Sequence, residues 1–167
     1  MSTTHQHPTI AIPDFLMHLE TYHGLPVPFI QAVFNGVPDF RAIDPDKVVR
    51  CVNEKLCAVC GRRLGEYCFF IGGPLSKENH FFSDPAMHEK CANFAAQTCP
   101  FVSGNKQTYS DRELDHTKIG VNKLVRAAAR PSEMFIFKCR TKTIQQVSIS
   151  GSLTIQAGRW LGERTIK

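Results

Sequence analysis

Along residues 14–22, Phe15, Leu16, Leu19 and Tyr22 fall at helical spacing, and Gly24, Pro26 and Pro28 end the run, so the pattern predicts one or two helical turns. Residues 29–34 then read as a strand. Asn35-Gly36 is a strong tight-turn pair, and residues 37–43 return as the second strand of a hairpin, held to a sheet edge by Pro38. Asp44-Pro45-Asp46 has the make-up of a helix start: Asp44 caps, Pro45 fits the first turn, and the dipole favours Asp46. That helix runs to about Leu56, with Val48, Val49, Val52 and Leu56 turned to the core. Residues 66–71 have strand composition, Gly72-Gly73-Pro74 turns the chain, and residues 80–83 form the returning strand. Asp84-Pro85 opens a further helix by the same cap-and-proline logic.

Past residue 102 the pattern changes. Ser110 and Glu113 match a capping box, so a helix starts near Asp111, and Gly120 interrupts it. From there Val121, Leu124, Val125 and Ala128 share one helical face, with Lys123, Arg126 and Arg130 on the opposite one. Residues 133–147 and 152–156, rich in Ile, Phe, Thr and Val, read as strands with Gly151 in the turn between them. Lys138, Arg140 and Lys142 alternate onto one exposed side of the first. The first dozen residues, with His5, His7, Pro8 and Pro13, read as a solvated tail, although paired histidines also bind metal weakly. The order divides into a tail (1–13), a hairpin and helix (14–56), a cysteine-rich segment (57–102), and a basic helix with a C-terminal hairpin (103–167). That is a mixed α+β domain with antiparallel hairpins and short helices.

Composition adds three constraints. At 167 residues, 43% hydrophobic and 21% charged, the chain can bury a core without staples, so a metal here is a local organiser rather than the sole source of stability. Neither an apolar run of about 18 residues nor a secretory leader is visible, which predicts a cytoplasmic, reducing setting and no membrane span. Seven cysteines in such a setting mean metal ligands and buried thiols rather than disulfides.

The chemistry is concentrated between Cys57 and Cys99. Cys57-Ala-Val-Cys60-Gly61 is a metal knuckle whose turn aims two thiolates at one point, and Gly61 tolerates the tight backbone. His88 and Cys91 lie three apart in the first turns of the following helix, so both reach one ion. Three thiolates and an imidazole suit tetrahedral zinc, one ion in a closed, structural shell. Two unrelated thiol pairs beside a core histidine would leave the double ligand spacing unexplained. Arg62, Arg63 and Lys90 lie near enough in sequence to offset the negative site. Cys51, Cys68, Cys99 and Cys139 read as buried apolar thiols. Cys99 is the alternative ligand, two helical turns beyond Cys91 and so a poor rival to His88.

Knuckle, hairpin and a helix bearing the second ligand pair resemble a treble-clef finger. Over residues 10–102 the chain is also similar to a group of bacterial and bacteriophage proteins of unassigned function. The similarity lies in GLPVPF, VPDFRAIDP, CAVCGRRLG, FIGGP and SDPAMHEKCANFAAQTCPF. It implies the zinc motif and a phage origin.

Charge then separates the function classes. Residues 1–50 carry −2, residues 51–110 +1 and residues 111–167 +6, so the excess sits in the last third. Lys118, Lys123, Arg126 and Arg130 form a stretch without acids; it is either a solvated face or a phosphate-contacting one, extended by Lys138, Arg140 and Lys142. Trp160 is either a base-stacking or, as for most lone tryptophans, a core residue. The leading expectation is a non-enzymatic zinc-stabilised module that binds nucleic acid, nearly level with one that binds or inhibits a host protein. An HNH-like nuclease is third, since Asp115-His116 lies outside the finger. No small-molecule substrate is suggested.

Overall fold

The computed structural model describes residues 10–99, 102 and 131–167, so the expected basic helix with Lys118, Lys123, Arg126 and Arg130, and the Asp115-His116 pair, lie outside the described residues. The chain opens with a single 3-10 turn, Asp14–Leu16, that buries Leu16. The helical spacing through Tyr22 goes no further, because β1 (Thr21–Tyr22) pairs at once with β2 (Leu25–Pro26). The next hairpin is the expected one: β3 (Gln31–Phe34) and β4 (Val37–Ile43) pair antiparallel across Asn35 and Gly36, both at positive φ as the tight turn demands.

Helix α1 (Pro45–Glu54) starts as the sequence dictates. The Asp44 carboxylate accepts from the Asp46 and Lys47 amides, and Pro45 takes the first turn. It ends at Glu54, two residues before the expected end, because Lys55 adopts the left-handed conformation at φ 56°. Val48, Cys51 and Val52 face the core.

Strand β5 (Tyr67–Gly72) follows, but the expected hairpin does not. Gly73-Pro74 caps and opens a short helix, α2 (Pro74–Asn79), because proline at the first helical position loses nothing there. The expected returning strand is β6 (Phe81–Phe82), and it pairs with β9 rather than β5. Met87 makes the return against β5, exchanging two backbone hydrogen bonds with Phe69. That extended bridge delays the next helix, so α3 (Glu89–Thr98) begins after His88 instead of at Asp84-Pro85.

The expected long strand over 133–147 is two strands in different sheets. β7 (Phe135–Arg140) ends at a 3-10 turn, Thr141–Thr143, where the Thr141 hydroxyl donates to the Gly65 carbonyl and the Thr143 hydroxyl to that of Arg140. β8 (Gln145–Ile149) and β9 (Ser152–Gln156) then form the expected hairpin across Ser150-Gly151, and β10 (Gly162–Thr165) closes the chain. All strand pairs are antiparallel, and two three-stranded sheets result, ordered β10-β7-β5 and β6-β9-β8. The result is a small α+β domain in which strands before and after residue 100 share both sheets. Phe70 stacks on Phe82 at 4.4 Å, and Trp160 stacks on Phe137 at 4.6 Å and on His80 at 4.3 Å. Trp160 is therefore a packing residue. Among the described residues no helix is long and apolar enough to cross a membrane.

Candidate metal centre

Cys57, Cys60, His88 and Cys91 converge, with one ligand atom from each lying within 4.8 Å of all the others. The knuckle supplies the first pair because its backbone is tied in a loop: the Gly61 amide donates to the Cys57 carbonyl at 2.9 Å and the Cys57 amide to the Arg62 carbonyl at 2.8 Å. Gly61 sits at φ 73°, and an added Cβ would lie 2.9 Å from the Phe29 ring. Two neighbours fix the knuckle in the fold. Ala58 donates to the Ala86 carbonyl, and the His18 ring Nε2 donates to the Cys60 carbonyl at 2.8 Å.

The second pair comes from the start of α3. His88 is its N-cap in extended conformation and Cys91 lies in the first turn, so the ligands straddle the helix end. The His88 amide points at Cys57 Sγ, 3.4 Å away, and the positive end of the helix faces the sulfurs. The histidine ring is also oriented. Nε2 lies 3.0 Å from the Arg63 carbonyl, which only accepts, so Nε2 carries the proton and Nδ1 keeps its lone pair. Nδ1 is the atom that faces the thiols, 3.3 Å from Cys60 Sγ.

The electrostatics fit a cation. Hydrogen bonds from the Cys57 and then the Cys91 thiol hold Cys60 far below the usual thiol range. Cys57 is pushed up, chiefly by Cys60, and Cys91 is pushed far up by Cys57 and Cys60 together. Three crowded sulfurs thus oppose one another's ionisation, and a divalent ion would let all three ionise. The four residues are positioned to hold one metal ion.

The remaining cysteines are apart from this cluster. Cys99 caps the end of α3 half-buried. Cys51 is buried on α1, and burial pushes its thiol up to about 12. Cys68 and Cys139 are directly opposed on β5 and β7, fully buried, with sulfurs 3.5 Å apart.

Of the basic residues expected on the first long strand, Lys138 and Arg140 lie on β7 and pack their cations over the Tyr67 ring, at 4.4 and 5.4 Å. Arg140 also pairs with Glu66. Both are half-buried rather than on an open face, and Lys142 lies beyond the strand end, so the three do not form one stripe. Residue spacing carries no signal for His18, Phe29 or the Arg63 carbonyl as supports of the centre. Each acts through the fold or the backbone rather than through local spacing. Comparison with protein-family models, curated proteins and solved structures finds no match to this chain.

Proposed function

We propose that Cys57, Cys60, His88 and Cys91 hold one structural zinc ion in a treble-clef finger, and that the domain it organises is a non-enzymatic nucleic-acid-binding module. One observation carries the zinc reading: a Cys₃His set in which the histidine tautomer is fixed with Nδ1 toward the sulfurs. Four protein donors complete a tetrahedral shell, which is the mark of a structural rather than a catalytic site. The finger reading rests on the order of knuckle, β5 with its Met87 return, and helix-borne second pair. The nucleic-acid reading rests on the +6 of residues 111–167, and with it go the phage origin and cytoplasmic setting that the sequence implies.

Purified protein is expected to hold about one zinc per chain, and Cys57→Ser, Cys60→Ser and Cys91→Ser to lose it. Metal analysis showing no zinc in protein never exposed to chelator would overturn the reading. Fluorescence anisotropy with a short duplex and a single strand, at two salt concentrations, tests the partner: affinity is expected to fall steeply with salt.

A second reading has its own observation. Val33, Phe34, Val37 and Phe40 on the β3–β4 hairpin are exposed, Phe34 and Val37 at 53% and 50%, an apolar surface suited to a protein partner. A partner retained from lysate after nuclease treatment, with no oligonucleotide bound at low salt, would favour it.

A further inference from the structure

Beside the metal centre a cleft of about 550 Å³ opens between the end of α1, the segment after the knuckle and the turn after β7. Its cations are Lys55, Arg63, Arg140 and Lys142, and its acids Glu54 and Glu66. Both acids are already held by arginines: Glu54 by Arg50 at 2.9 Å, from outside the cleft, and Glu66 by Arg140. The side chains of Arg63 and Lys142 form no hydrogen bond or ion pair among the described residues, and both are exposed. The Lys55 ammonium is fixed on the cleft wall by its bond to the Ile144 carbonyl at 2.8 Å, which uses one of its three protons. Three cations therefore remain without a hydrogen-bonded carboxylate, Arg63 acting on Glu54 only through space.

The walls are fastened. Leu64 donates to the Lys55 carbonyl at 2.8 Å, Thr141 to the Glu66 carbonyl at 2.9 Å, and the Thr141 hydroxyl to the Gly65 carbonyl at 2.6 Å. Arg63 is further tied to the metal centre, because its carbonyl takes the His88 Nε2 proton. The metal thus sets the backbone from which the Arg63 guanidinium projects.

We propose that this cleft takes a backbone phosphate of the bound nucleic acid, with Arg63 and Lys142 as its principal contacts and Lys55 behind them; the inference rests on the nucleic-acid reading. Guanidinium forks match phosphate oxygens in pairs, and a lysine adds a mobile point charge. Small-molecule sites are enclosed and lined by hydrophobic and aromatic side chains, whereas this cleft is open and Leu64 is the one hydrophobic side chain on it among the described residues. A shallow, charged, open cleft suits one phosphate of a polyanion that continues beyond it.

The test compares wild type, the double variant Arg63→Ala/Lys142→Ala and an equal-charge control, Arg159→Ala/Arg164→Ala, with zinc content and Tm measured for each. Anisotropy titrations use a short duplex and a single strand at two salt concentrations, with inorganic phosphate at matched ionic strength as competitor. The cleft variant is expected to keep its zinc, lose affinity by about tenfold or more at low salt, and lower the salt slope by about 2. The control should lose less than about threefold. Equal losses in the two variants would overturn the cleft and leave the nucleic-acid reading intact. No binding by wild type at low salt would overturn that reading itself, and the cleft with it. Displacement of the oligonucleotide by low-millimolar phosphate would make the cleft a free-phosphate site and overturn its assignment to the backbone.

Discussion

Gly61 and Cys51 show how single residues bear on the centre in different ways. Gly61 and Gly151 share a left-handed φ, 73° and 78°, which costs a non-glycine residue about 1–2 kcal/mol. They differ in surroundings: an added Cβ meets nothing within 4 Å at Gly151 but strikes the Phe29 ring at Gly61. Gly61→Ala is therefore expected to destabilise more than Gly151→Ala, and to speed zinc loss to a chelator; equal Tm shifts would contradict this. At Cys51 the unfolded thiol ionises near 9.0 and the buried one near about 12. Between those values the unfolded chain binds fewer protons, so stability falls as pH rises, by about 1.4 kcal/mol per unit from this thiol. The stability difference between wild type and Cys51→Ala, from urea unfolding at pH 8 to 11, should change at that rate above pH 9. A flat difference would mean that burial does not hold the proton. The four ligands were legible because CxxC and HxxC are local spacings. The His18 ring was not, since it reaches Cys60 from 42 residues away.

At the level of elements, local rules wrote the parts whose partners are local. The Asp44 cap, the Asn35-Gly36 turn and the β8–β9 hairpin all lay where turn and cap chemistry put them. Two of the failures share one cause. β6 and the end of β7 were misassigned because their hydrogen-bond partners, β9 and the segment at Gly65 to Glu66, lie more than 70 residues away in sequence, and composition carries no register. Packing follows the same long-range pattern. Phe137 on the central strand is fully buried against Trp160, Phe82 and Phe135, so Phe137→Ala should cost about 3–5 kcal/mol in chemical denaturation. Val33→Ala, on the exposed hairpin, should stay within about 0.5 kcal/mol. Similar losses at both sites would contradict the placement of the core.

Taken whole, the domain offers the metal centre no independent module to melt. β5 leads from the knuckle into a sheet with β7 and β10, and β6 into a sheet with β8 and β9. Removing the metal should therefore lower one cooperative transition, with amide protection lost in β7 and β9 together with α3; two separate thermal transitions would count against it. The same interleaving has a consequence in time. Cys68 waits for a strand partner 71 residues further on. At roughly 5–20 residues per second of synthesis, that is a delay of about 4–14 seconds. Through that interval β5 has been made while the strand that pairs with it has not. All four ligand residues precede β7, so a metal held by them would order this part of the chain before its strand partner exists.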